Sequence, residues 1–220
     1  MAVGSRRSIV PALVRWGYAY GSIRPGAPAM RARTQPRPTL YEQLEALPEG
    51  LTGEILDGQL YARPRPSLPH GFTASSLGYD LIGPFQRGRG GPGGWWFIDE
   101  PELHVIRDAE VAVPDLAGWR RERMPLLPHG HRATVVPDWV CEVLSPATAG
   151  TDRELKMPIY ARFGVAYAWL LDPLAHTLEA YALEAGTWRE IGRFAGAALV
   201  SVAPFEAASI NSDDLWAPTA

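Results

Sequence analysis

The chain has 220 residues, 46% of them apolar and 20% charged, enough to bury a full core in one domain. Residues 1–37 carry seven arginines and no acid, which leaves 14 basic against 24 acidic residues, or −10, for the remainder; that balance argues against a large non-specific phosphate footprint. No run approaches the ~18 uninterrupted apolar residues of a membrane span, and a single cysteine excludes an internal disulfide and suits the reducing cytoplasm.

Residues 1–37 are broken by Pro11, Gly21, Pro25 and Gly26 and lack a clean apolar signal core. They read as a disordered or loosely attached segment rather than a nucleic-acid arm, with Met30 as an alternative start, and residues 38–220 as a single domain. Thr39 with Glu42 predicts a capped helix with apolar spacing at 40, 44 and 47. Asp57-Gly58 predicts a hairpin over 53–63. A helix is expected from about His70 to Gln86, weakened by Gly78. Arg87 to Gly94 reads as a flexible loop without the strand-before, helix-after context of a phosphate cradle.

Strands are expected near 95–106, 110–116 and 135–144. Between the last two, Trp119-Arg-Arg-Glu-Arg and His129-Gly-His131 read as a polar, mobile loop, whose two histidines without cysteine partners are a weak zinc signal. Thr151 with Glu154 resembles a capping box opening a helix on which Asp152, Lys156 and Tyr160 share a face, with a kink at Pro158. An apolar strand over 166–171, a hairpin over 177–191, a strand near 198–202 and a short helix over 211–216 complete the chain.

Of 21 basic residues, 20 are arginine, and Lys156 is the exception. An ammonium is a compact cation that can position a water, whereas guanidinium is a wide fork, so a site that needs a small cation would exclude arginine. The plainer reading is a surface lysine. In Trp139-Val-Cys-Glu142-Val-Leu144 both parities are apolar except Glu142, which shares a face with Val140 and Leu144. A carboxylate there needs a metal or a cation beside it, unless the pair is only structural. Cys141, on the opposite face, reads as a packed core thiol. Asp115 has the parity of Val111 and Val113; it is either a second pocket acid or a turn aspartate after Pro114. Acids on neighbouring strands make a hard-oxygen pocket suited to Mg²⁺ or Mn²⁺. Glu54 is a third candidate or an exposed strand-end glutamate, and Asp138 competes with Glu142 because it has the same parity.

The ordered phrases Gly53-Glu54-Ile-Leu-Asp-Gly, Pro114-Asp115-Leu, Glu142-Val-Leu-Ser-Pro, Asp152 to Tyr160, Gly164-Val165 and Trp169-Leu-Leu-Asp-Pro resemble the Uma-two family of the PD-(D/E)XK nuclease superfamily over roughly residues 40–216. The position two after Glu142, where the superfamily places lysine, is Leu144; the family's lysine on the following helix corresponds to Lys156. The resemblance implies an α+β, restriction-endonuclease-like fold with a mixed central sheet flanked by helices. It also implies Mg²⁺- or Mn²⁺-dependent hydrolysis of DNA by Asp115, Glu142, Glu54 and Lys156, with His70 near the pocket and Asp152 and Tyr160 in support. A homodimer is compatible with it. Arginines at 87, 89, 120, 121, 123 and 132 are candidate DNA clamps. Two rivals are a non-catalytic module with a relic pocket and a hydrolase of a small phosphorylated molecule.

Overall fold

The computed structural model describes residues 37–218, so the expectation for the basic N-terminal segment lies, but for Arg37, outside the described residues. The Thr39 capping box forms as expected, with both reciprocal hydrogen bonds, and starts α1 (Leu40–Glu45), which buries Tyr41 and Leu44. β1 (Leu51–Leu56) and β2 (Gln59–Pro64) form the expected hairpin. Its two-residue turn places Asp57 at φ 47° and Gly58 at φ 73°, a left-handed pair that Asp-Gly supplies at low cost. α2 (Leu68–Leu81) runs directly into a wide π turn over Ile82–Gln86, so the expected helix is present.

The expected strand over 95–106 is divided into β3 (Trp95–Asp99) and β4 (Glu102–Ile106), with Glu100 at φ 43° where the chain passes from one sheet to the other. The expected strand over 110–116 is also two: β5 (Glu110–Ala112) and β6 (Leu116–Arg120). Pro114 between them has no N–H to give a ladder, and at this point the chain passes from one sheet to the other. The loop expected after residue 116 is therefore partly strand. Trp119 is buried and donates to the Val135 carbonyl at 2.8 Å, and the Arg121 guanidinium lies 3.8 Å over the Trp96 ring, so these residues anchor the segment.

After β7 (Arg132–Ala133) and β8 (Trp139–Val143), α3 (Ala149–Thr151) begins earlier than the sequence suggests. Thr148 occupies the cap position and Thr151 makes no capping bond, a correction to the expected Thr151–Glu154 box. The next five residues, Asp152–Lys156, form a π turn in which the Met157 N–H reaches the Asp152 carbonyl, before α4 (Met157–Arg162). Pro158 follows directly on this π turn, inside one continuous helical run over 149–162, so its missing N–H coincides with the local change of hydrogen-bond pattern. β9 (Tyr167–Asp172), β10 (Thr177–Glu184), β11 (Thr187–Ala195), β12 (Leu199–Val200) and β13 (Ile210–Asn211) follow, then a short 3₁₀ turn over Ser212–Leu215 capped by Asn211.

The architecture is α+β with mixed sheets, shared between a five-stranded sheet in the order β2-β1-β5-β4-β7 and a six-stranded sheet in the order β11-β10-β9-β8-β6-β3. In the latter only β8 and β9 pair in parallel. β8 is buried along its whole length. Trp139, Cys141 and Val143 enter one apolar cluster, with α2 and Phe205; Val140 and Leu144 enter the other, with Met157, Ile159 and Tyr160. This is the face division expected from parity, and Glu142 is the polar interruption on the second face. Among the described residues no helix is long and apolar enough to cross a membrane.

Candidate active site

Four elements converge on the middle of that second face. Glu54 and Arg63 come from the β1–β2 hairpin, Asp115 from the crossover between β5 and β6, Glu142 from β8, and Asp152, Lys156 and Tyr160 from the helical segment after β8. The register explains the central pair. β6 and β8 are antiparallel with Leu116 across from Cys141, so one further step sets Asp115 across from Glu142, on the same face. The Asp115 Oδ2 then accepts the Val143 N–H at 2.7 Å and lies 3.4 Å from His70 Nε2 in the first turn of α2.

Lys156 is the hub. Fully buried, its Nζ donates to Glu142 Oε2 at 2.7 Å and to the Val113 carbonyl at 2.9 Å, and lies 3.1 Å from Glu54 Oε1 and 3.8 Å from Asp152 Oδ1. The Tyr160 hydroxyl donates to the other Glu142 oxygen at 2.5 Å. Glu54 Oε1 also accepts the Val113 N–H at 2.7 Å. The surface-lysine and exposed-glutamate readings therefore fall, and the seven residues singled out from the sequence stand in one neighbourhood. Asp138 does not join them: its oxygens take the Arg120 N–H and the Arg123 guanidinium, each at 2.8 Å, at the other end of β8. Cys141 is the packed core thiol expected, its thiol pushed well up by burial.

Arg63 was missed in the sequence. Its guanidinium lies 2.5 Å from Glu54 Oε2 and 3.8 Å from Asp152 Oδ1. The hairpin turn contained the signal. With Asp57-Gly58 as the two-residue turn, Glu54 pairs with Tyr61, and Arg63 is its diagonal neighbour on the same face.

The electrostatics are those of a crowded acid pocket. Four carboxylates, of Glu54, Asp115, Glu142 and Asp152, face one ammonium and one guanidinium, so the six groups sum to −2 when ionised, with His70 neutral. Burial raises the Glu142 pKa well above normal; Lys156 offsets part of this, and the other three acids add to it. Asp152 is raised for the same leading reason. Burial opposes charge on Lys156, yet Glu142 and Glu54 outweigh it and raise its pKa, so it remains protonated and cannot serve as a base. Burial would also raise Asp115, but its contact with His70 and the charge of Lys156 hold it below normal; His70 is raised in return, against its own desolvation.

These residues fit a hard divalent cation by charge and donor type. Glu54 Oε2 and Asp152 Oδ1 are buried without an aligned hydrogen bond, and the donors are carboxylate oxygens. The expected ligand set is nevertheless not arranged around a common point. Among the described residues no three His, Cys, Asp or Glu side chains form a ligand cluster, because Lys156 joins Glu54 to Glu142. A cleft of about 610 Å³ is lined by Arg63, His70 and Asp115 of this cluster, with Arg65, Ser145 and Thr148, while Glu54, Glu142, Asp152 and Lys156 lie buried outside its lining. Of the proposed clamp arginines, Arg123 and Arg132 are bound to carboxylates and Arg120 and Arg121 lie over tryptophan rings, so four of the six have intramolecular partners.

The sequence model of the Uma2 family, described as "Putative restriction endonuclease", matches residues 38–212. A crystal structure described as "a putative nuclease belonging to DUF820", from Anabaena variabilis, superposes with a TM-score of 0.62 at 24% identity, covering 82% of this chain and 98% of the other. At that identity the likeness establishes the fold. No curated protein matches the sequence.

Proposed function

Because the chain belongs to the Uma2 family, we propose that it is a metal-dependent nuclease hydrolysing DNA phosphodiester bonds with Mg²⁺ or Mn²⁺. The observation that carries this reading is the surplus of acids in the buried cluster, four carboxylates against Lys156 and Arg63. Asp115 and Glu142, with Glu54, would hold the ion. When bound it would supply Lewis acidity to a phosphoryl oxygen and a water acidified toward neutral pH. The chain's own residues do the rest. Lys156, held protonated, places a compact positive charge beside Glu142, where it would orient the attacking water or stabilise charge building on the phosphoryl group. Tyr160 and Asp152 fix Glu142 and Lys156 in turn. His70, on Asp115 at the cleft wall, is placed to keep that carboxylate ionised.

The test is hydrolysis of plasmid and oligonucleotide DNA in Mg²⁺ and Mn²⁺, with Glu142→Ala alongside. Metal-dependent cleavage by the wild type and none by the variant supports the reading; no cleavage, or cleavage equal in both, contradicts it. Preference for mononucleotides over oligomers would favour the small-substrate hydrolase.

A further inference from the structure

A second cleft, of about 460 Å³, adjoins the first and shares His70, Glu100 and Asp115 with it. The two are chemically opposite. The first is lined by Arg63 and Arg65 and suits a phosphate; among the described residues the second is lined by no lysine or arginine, and by the carboxylates of Asp99, Glu100 and Asp115. Its floor is the small-residue face of α2, with Gly71, Ala74 and Gly78 side by side. Phe97 forms a wall, Tyr79 stands 82% exposed at one side, and Asp99 contributes a carboxylate acceptor. A flat, uncharged group with N–H donors, attached to a phosphate at Asp115, matches these walls.

We propose that this cleft is a nucleobase subsite, taking the base next to the scissile phosphate, and that the enzyme therefore acts on DNA with an unpaired base at that position. The inference rests on the nuclease reading and names its substrate class. A base stacked and paired within a duplex cannot enter a cleft beside the phosphate without being flipped out, and the cost of flipping is absent when the strand is already single. The remaining charge agrees. Among the described residues Arg123, Arg132, Arg153, Arg162, Arg189 and Arg193 are paired with carboxylates, which reduces their availability for the phosphate contacts of a duplex footprint. Base stacking must then supply more of the affinity.

The test is fluorescence anisotropy with the full chain, a labelled single-stranded eight-nucleotide DNA and the same strand annealed to its complement, in Ca²⁺, which fills hard-oxygen sites with looser geometry. The single strand should bind at least about tenfold more tightly, and Tyr79→Ala should remove about tenfold of that affinity. Gly71→Leu should do the same by filling the cleft; a Cβ at 71 meets no atom within 4 Å, so the fold should tolerate it, and thermal melts verify this. Equal affinity for both forms, no binding by either, or folded variants that bind like the wild type would overturn the subsite. Glu142-dependent hydrolysis is scored separately, so loss of the subsite and loss of the nuclease reading remain distinguishable.

Discussion

Two ionic clusters are built from neighbouring residues of one helical turn, and they have opposite character. Asp152 and Lys156 point into the acid pocket; Arg153, between them in sequence, points to Glu179 on β10. Glu179 is held by Arg153 through two bonds of 2.8 and 3.0 Å, by Arg193 at 2.7 Å and by the Tyr181 hydroxyl at 2.5 Å. Burial alone would raise its pKa, but these partners lower it to about 2. In the pocket the balance is reversed: acids outnumber cations, and Glu142 is raised well above its usual value. A cluster in which the buried carboxylate is fully offset by cations serves the fold. One with surplus buried negative charge is costly to the fold and has capacity for a cation.

The largest way to break this contrast is to remove the hub. Lys156→Ala leaves buried carboxylates unpaired and should cost about 3–5 kcal/mol of stability. Lys156→Arg keeps the charge but must fit a wider group among three acceptors in a fully buried space, so it should lose nearly as much activity as Lys156→Ala while retaining more stability. Urea denaturation and turnover measurements on both variants verify this; an arginine variant with near wild-type turnover would count against a compact ammonium being required.

Glu142→Gln should separate function from fold. Hydrolysis should fall by about 10²–10³-fold, while the metal-free protein remains as stable as the wild type or more so, because one surplus charge is gone. The pH dependence has a defined sign. A folded pKa above the unfolded value makes Glu142 favour the fold below its ordinary range and withdraw that support as pH rises through the raised value. Chelator-treated wild type should therefore lose stability over that interval and the variant less. A large loss of stability in the variant would make Glu142 a structural ion-pair member.

Glu179 should give a smaller effect of opposite sign. Its folded pKa is depressed, so its stabilisation is present above the ordinary 4.5 and fades as pH falls toward about 2. With its arginine partners half exposed and screened, Glu179→Gln should cost only about 1 kcal/mol, and hydrolysis should change little. Acid titrations followed by circular dichroism would reveal it; a loss of activity matching that of Glu142→Gln would erase the distinction between the clusters.

Much of this was legible in the sequence because the governing patterns are local. The two-faced apolar run around Glu142, the Asp-Gly hairpin and the spacing of 152, 156 and 160 each place a side chain by periodicity alone. Asp115 was found although its strand was misjudged: Pro114 divides that strand between two sheets, and the residue reaches the pocket through the register of β6 against β8. Arg63 was not found because a strand-end arginine is unremarkable until its diagonal relation to Glu54 is drawn. The role of Trp119 was obscured by three nearby arginines, which suggest solvent while the indole is buried. The ligand arrangement was least legible, since Lys156 proved to bridge two of the expected ligands, and such a bridge depends on contacts between distant segments.

The most direct test of the surplus-charge account is calorimetric titration of Mn²⁺ into the wild type and Glu142→Gln at two pH values, in buffers of differing protonation enthalpy. The account predicts one ion bound per chain by the wild type, affinity that strengthens at the higher pH, and protons released on binding as the raised carboxylates ionise. Glu142→Gln should bind at least about tenfold more weakly and release fewer protons. Absence of binding, or binding that is equal in the two proteins and indifferent to pH, would contradict it.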